Sequence, residues 1–269
     1  METDGIMSGE EKSYSSMSLK DVWKVYQSFG RTVVALKGIN FEVPKGKLTC
    51  LVGPSGSGKT VIINMMAGYE TPDGGQVLMD GKPVGGPGPE RIVVYQETAL
   101  LPWKTLMENT TFGPLMQKKI SKKEAIKRAQ ALIDKSGLTG FEKKFPYQLS
   151  GGMQRRSELI RALINDPKVL LMDEPLRGLD AMTRQIMQDY VIKLYEETKT
   201  TMLFITSDID EAIYLADTVY FLTQSPGFIK DKMEITLPRP RTSDVLITKE
   251  YNEFLAKAID IVMAEKEFI

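Results

Sequence analysis

Eight consecutive residues, Gly53-Pro-Ser-Gly-Ser-Gly-Lys59-Thr60, constrain this chain more than any other stretch. They satisfy the pattern GxxxxGK[ST], with the apolar run LTCLV before them and the helix-like TVIINMMAG after them, which is the strand–loop–helix setting that the pattern requires. In such a loop the glycines let backbone N–H groups turn inward toward phosphate oxygens, and the helix N-terminus adds the positive end of its dipole. Gly53, Pro54, Ser55, Gly56, Ser57 and Gly58 are therefore expected to cradle phosphate. Lys59 would neutralise the β/γ charge, and the Thr60 hydroxyl would ligate Mg²⁺.

The rest of the chain has the material to build a core around that loop. Of its 269 residues, 42% are hydrophobic and 26% charged, which suits one large domain or two modest ones. Lysine plus arginine (35) balance aspartate plus glutamate (35), which argues against a strongly basic surface, so no nucleic-acid partner is expected. With one cysteine, Cys50, and no histidine, the chain has no route to disulfide frameworks, Cys/His zinc sites or histidine proton shuttles. No apolar run approaches the roughly 18 residues of a membrane span, and the polar start lacks a signal-peptide core. A cytosolic chain that meets a membrane only through a partner is expected. Residues 1–17, polar and without apolar periodicity, read as a flexible extension, with one folded unit over 18–269.

Short apolar runs bounded by turn residues at Val33–Val43, Leu48–Val52, Gln76–Met79, Ile92–Tyr95, Val169–Met172, Met202–Ile205 and Val219–Leu222 predict strands. Helices are expected after Gly58, Ser150, Asp180 and Asp208, and from about Lys249. Another is framed by a capping box of Ser121 with Glu124, an apolar stripe from Ala125 to Ile133, and a stop at Gly137. This mixture predicts an α/β core. The strand at Val169–Met172 ends in Asp173-Glu174-Pro175, which puts two carboxylates at the usual ligand edge of an open α/β sheet. Asp173 suits Mg²⁺, and Glu174 suits polarising an attacking water. An Asp-Glu pair after a strand is by itself more often a solvated turn; the phosphate loop reverses that weighting.

Leu149-Ser-Gly-Gly-Met-Gln154 lies between these elements, and through it the chain resembles the ATP-binding subunits of ABC transporters, whose signature sequence is LSGGMQ. The resemblance implies a RecA-like P-loop NTPase core, a β-rich N-terminal subdomain and an inserted helical subdomain over about 101–162. It also implies ATP and Mg²⁺ as ligands. Ser150, Gly151, Gly152 and Gln154 would face the γ-phosphate held by a second ATP-binding subunit, in a homo- or heterodimer. Tyr26 resembles the aromatic that stacks on adenine, with Phe29 as the alternative and a core role as a third reading. Gln96 resembles the Q-loop glutamine that reaches Mg²⁺ and water, and Asp180 the D-loop aspartate.

The strings GGPGPERIVVYQETALLPWKTLMEN and SPGFIKDKMEITLPRPR are similar to those of importers for nitrate, sulfonates, taurine or bicarbonate. By that likeness the chain would energise import of a small anion or sulfonate-like solute from the cytoplasmic face of the inner membrane, as a peripheral subunit. Residues Glu97–Leu106 would dock the membrane permease through Leu100, Leu101, Pro102 and Trp103, or else pack the helical subdomain. A solute-binding protein would be met only indirectly. In two places the chain departs from the family pattern. Ser207 stands where a histidine is usual, which implies hydrolysis slowed by roughly a hundredfold, or a slowly hydrolysing, mainly nucleotide-binding subunit paired with a competent sister; Ser207 with Asp208 also reads as a helix cap. Arg177-Gly178 replaces small residues, and a solvated arginine is the plainer reading than one paired with a phosphate or partner.

Overall fold

The computed structural model describes residues 15–28, 30–118 and 120–264. Most of the expected N-terminal extension and the alternative aromatic Phe29 lie outside the described residues. Strand β1 (Met17–Ser28) pairs antiparallel with β2 (Arg31–Val43) and, on its other side, with β4 (Gly74–Met79), which β5 (Lys82–Pro83) extends to a sheet ordered β2-β1-β4-β5. Met17 pairs with both Val43 and Met79 and is 1% exposed, so strand β1 begins before the boundary expected at residue 18. The strand hides from a period-two reading because its register shifts three times between Leu19 and Val25, around Asp21 at φ 48°.

The second sheet contains β3 (Leu48–Val52), β6 (Arg91–Val94), β7 (Val169–Asp173), β8 (Thr201–Thr206), β9 (Thr218–Leu222) and β10 (Ile229–Glu234). Its order is β10-β9-β3-β8-β7-β6, parallel throughout except for the antiparallel edge strand β10. Strands β3, β7 and β8 are buried at every position, as expected where both faces of a parallel sheet are covered. Alternation divides their side chains between two cores. Leu51, Val169, Leu171, Leu203 and Ile205 pack with helix α1 (Lys59–Ala67) and the first sheet. Leu48, Cys50, Leu170, Met172, Met202 and Phe204 pack on the opposite face with α5 (Ala181–Thr198), α6 (Ile209–Leu215) and α7 (Lys249–Met263).

A third, smaller core of Leu106, Ile133, Leu138 and Ile160 joins α2 (Leu106–Gln117), α3 (Lys122–Lys135) and α4 (Gly151–Leu163). Ser121 caps α3 as expected, accepting from Glu124 N at 3.2 Å, but the Glu124 carboxylate turns to Arg128 at 3.0 Å instead of closing the box. The reciprocal box belongs to α2, between Thr105 and Glu108. That helix is masked in the sequence by Gly113-Pro114 in its interior.

Candidate active site

Parallel strands deliver their successors to one edge, and four of the expected functional segments meet there. Along the sheet the carboxyl ends of β3, β8, β7 and β6 carry, in order, the Gly53–Gly58 loop, Ser207, Asp173 with Glu174, and Gln96. Gly58, at φ 93°, turns the loop into α1, and a Cβ there would fall 2.5 Å from the Leu36 side chain.

Lys59 is 5% exposed and folds back over its own loop, donating to the Gly53 and Pro54 carbonyls at 2.7 and 2.8 Å. Its Nζ also lies 3.1 Å from Glu174 Oε1. Thr60 Oγ1 donates to Asp173 Oδ2 at 2.8 Å. Burial raises the Asp173 carboxyl above its ordinary range and the neighbouring Glu174 charge adds to the rise, against the Thr60 hydrogen bond and Lys59. Glu174 holds a left-handed backbone, φ 41°, while its N–H donates to Ile205 O of β8 at 2.9 Å. Its second oxygen, Oε2, lies 3.0 Å from Arg177 Nη1.

These contacts leave capacity for a ligand. Ser57 is fully buried and its hydroxyl has no partner, an orphan inside the loop that a phosphate oxygen would satisfy. The Thr60 hydroxyl and Asp173 carboxylate form a hard-oxygen pair suited to Mg²⁺, which usually keeps waters and takes only one or two protein ligands beside phosphate. Among the described residues there is no cluster of three or more His, Cys, Asp or Glu to cage a metal alone.

Ser207 is exposed and lines a pocket of about 240 Å³ with Gly53, Pro54 and Leu222. The capping of α6 falls to Asp208, which accepts from Glu211 N at 3.2 Å, so Ser207 is not the cap. Gln96 is exposed on a loop tethered from α4: Arg155 donates to the carbonyls of Tyr95, at 2.8 Å, and of Gln96, while Glu158 accepts from Ala99 N at 2.6 Å. Arg155 and Glu158, themselves 2.6 Å apart, escaped the sequence reading, although their i,i+3 spacing on a predicted helix was a signal. Tyr26 is 38% exposed on β1, its hydroxyl donating to Glu70 at 2.6 Å; burial and that carboxylate raise its pKa.

The Ser150–Gln154 segment stands apart from this cluster. Ser150 caps α4, accepting from Met153 N, and Gln154 donates to the Pro146 and Leu149 carbonyls at 2.9 and 3.1 Å. Gly152 packs against α5, where a Cβ would lie 2.9 Å from Thr183, and Gly151 faces Leu179. Asp180 caps α5 through Thr183 N at 3.0 Å, a hydrogen bond that lowers its pKa. Of the four apolar residues expected to form a docking surface, Leu100 is buried, at 7% exposure, while Trp103 is 69% exposed.

Residues 36–177 match the sequence profile of the ABC transporter family. The chain is 42% identical over 265 residues to an uncharacterised ABC transporter ATP-binding protein of Methanocaldococcus jannaschii, covering 98% of both chains. It is 40% identical to a nitrate import ATP-binding protein, NrtD, of Synechocystis, covering 82% of this chain and 83% of that one. Identity is 46% to a taurine import ATP-binding protein, TauB, of Pelagibacter ubique, over 74% and 75%. Among solved structures, the dimeric cassette MJ0796 superposes with a TM-score of 0.72 at 30% identity, covering 82% of this chain and all of that one. A second structure of MJ0796, in a post-hydrolysis state with ADP and Pi, gives 0.70 at 28% identity, with the same coverage.

Proposed function

The chain belongs to the ABC transporter family, and from that premise we propose that it binds ATP with Mg²⁺ and hydrolyses it to energise import of a small anion or sulfonate-like solute through a membrane permease. The observation that carries the reading is the meeting of Lys59-Thr60 with Asp173-Glu174, two pairs far apart in sequence, in one cluster at the strand edge that is buried except at Thr60. Lys59 would leave its own carbonyls for the β/γ-phosphates, joined by the loop N–H groups and the orphan Ser57 hydroxyl. Thr60 and Asp173, with Gln96, would hold Mg²⁺, which supplies neutralising charge on the phosphates. Glu174 would orient a water and take up its proton as that water attacks the γ-phosphorus, while the bond from the γ-phosphorus to the bridging oxygen breaks and ADP leaves with that oxygen. Tyr26, with its ring exposed, offers a stacking face for adenine.

The separation of the Ser150–Gln154 segment from the phosphate loop supports a second ATP-binding subunit that supplies its own segment across the interface. Both structures of MJ0796 are described as dimeric, which favours that arrangement. No helix among the described residues is long and apolar enough to cross a membrane, and the relatives named as import ATP-binding proteins support a partner permease. The relatives named for nitrate and taurine import support the solute class, and a peripheral place at the cytoplasmic face follows from it. Ser207, exposed and uncharged, favours a slow turnover, and a mainly nucleotide-binding subunit beside a competent sister is the second reading.

Lys59→Ala should abolish most ATP affinity, whereas Glu174→Gln should retain binding, block phosphate release and give an ATP-dependent dimer on size exclusion. Unchanged turnover in Glu174→Gln would overturn the hydrolytic assignment. Co-purification from native membranes, with one ATPase or two beside the permease, decides between homo- and heterodimer.

A further inference from the structure

Glu174 is held by two cations, one on each oxygen. Lys59 approaches Oε1 at 3.1 Å and Arg177 approaches Oε2 at 3.0 Å. The two differ in what else they must do. Lys59 is the phosphate countercharge of the proposed reaction, and an ammonium turned to phosphate gives up the carboxylate. Arg177 is given no phosphate to bind in that reading, and its ion pair in the structure is with Glu174.

The backbone around Arg177 is built to keep it there. Its N–H donates to the Glu174 carbonyl at 3.1 Å, closing a turn in which Pro175 and Leu176 are buried, Leu176 at 2% exposure. Gly178, at φ 82°, then takes the chain away toward Asp180. The side chain is thus returned over the carboxylate three residues before it. Among the described residues, the ion pairs of Glu174 are with Lys59 and Arg177, while Lys230 at this edge donates to Ile261 O and Arg184 pairs with Asp208. A guanidinium keeps its charge across the whole working pH range.

We propose that Arg177 is the positioning residue for Glu174, fixing the carboxylate through Oε2 when Lys59 is committed to phosphate. The proposal rests on the hydrolytic reading above and names a residue that reading does not require. Since the Arg177 side chain is 55% exposed, the pair contributes little to folding, and its effect should be confined to turnover. The contact uses a single nitrogen, so a lysine can substitute for it.

The test is steady-state phosphate release against ATP concentration, with the full-length chain and its Arg177→Lys, Arg177→Ala and Arg177→Glu variants, and a melting curve for each. Arg177→Ala should lower kcat about tenfold with KM within about twofold, Arg177→Lys should recover most of the loss, and Arg177→Glu should fall below alanine. Melting temperatures should agree across the series. Equal kcat in wild type and Arg177→Ala would overturn the proposal, as would a lysine variant no better than alanine. A rise in KM at constant kcat would also overturn it, by making Arg177 a nucleotide contact. Glu174→Gln run alongside separates the two failures: full turnover there removes the assigned role of Glu174 itself, whereas blocked turnover with an indifferent Arg177→Ala removes only the positioning step.

Discussion

Two clusters of charged side chains in this molecule use the same chemical groups to opposite ends. At the amino ends of β3 and β9, Asp217 accepts from Leu48 N at 3.0 Å, from the Tyr195 hydroxyl at 2.8 Å and from Arg239 Nε at 2.7 Å. Arg239 in turn donates to Glu196 and to Leu215 O, and stacks 4.6 Å from the centre of the Tyr195 ring. Burial works against the Asp217 charge, yet Leu48 N, Arg239 and Tyr195 together hold its carboxyl below the usual range. At the carboxyl edge of the same sheet the balance is reversed. Asp173 is raised, Ser57 has no partner, Glu174 sits in a left-handed backbone, and Lys59 spends its donors on carbonyls of its own loop. A cluster whose every oxygen finds a donor is a clamp. One with a disfavoured carboxylate and an orphan hydroxyl is a receptacle, and its incompleteness is the physical mark of a binding site.

Removing a carboxylate from each cluster should break the comparison most sharply. Asp173→Asn is expected to cut Mg²⁺-dependent turnover at least about a hundredfold, about 3 kcal/mol in barrier, while raising the melting temperature at neutral pH. The sign follows from its raised pKa. The folded protein disfavours the charged Asp173, so its penalty is absent below the unfolded carboxylate pKa and grows as pH rises through the folded one. Melting curves of wild type and variant should therefore coincide in acid and separate toward neutral pH.

Asp217→Asn should do the reverse, costing about 2 kcal/mol of stability at neutral pH, several degrees in melting, with little change in ATP affinity. Its lowered pKa makes that contribution present above the unfolded value and lost as pH falls through the folded one, so wild type and variant converge at low pH. A variant as stable as wild type at neutral pH would remove the clamp from the comparison.

Adding a group to the receptacle is a smaller perturbation. Ser207→His should raise kcat about tenfold, about 1.4 kcal/mol, at nearly constant ATP affinity, and introduce a titration near pH 6.5. Steady-state phosphate release across pH reads both, and an unchanged rate would show that serine is already accommodated. The smallest effects separate two hydroxyls. Tyr195→Phe should cost about 1 kcal/mol in the clamp, whereas Ser57→Ala should leave stability within about 0.5 kcal/mol and weaken ATP binding only about threefold. Denaturant melts and nucleotide titration distinguish the two.

What the sequence exposed was local. Gly53–Thr60, Asp173-Glu174 at a strand end, and the helix starts after Ser150, Asp180 and Asp208 all stand where short-range chemistry puts them. The pairing of Lys59 with Glu174 was not legible, because it depends on β3 and β7 flanking β8, a fact of sheet order rather than of spacing. Arg177 read as a solvated side chain, since nothing in LRGLD reveals that the turn returns it to Glu174. Strand β1 was hidden by its bulges, and α2 by its internal proline.

The tether from α4 to the Gln96 loop has a mechanical consequence. Arg155 and Glu158 sit near the middle of a helix about 20 Å long, and Ser150 caps its tip. The loop is thus fastened at a fulcrum. Tilting the rod by about 6° about its centre would swing the tip by about 1 Å and leave the fastening almost still, whereas sliding the rod along its axis would carry both together. Gln96 is in this sense deaf to rotation of the helical part and responsive to its translation.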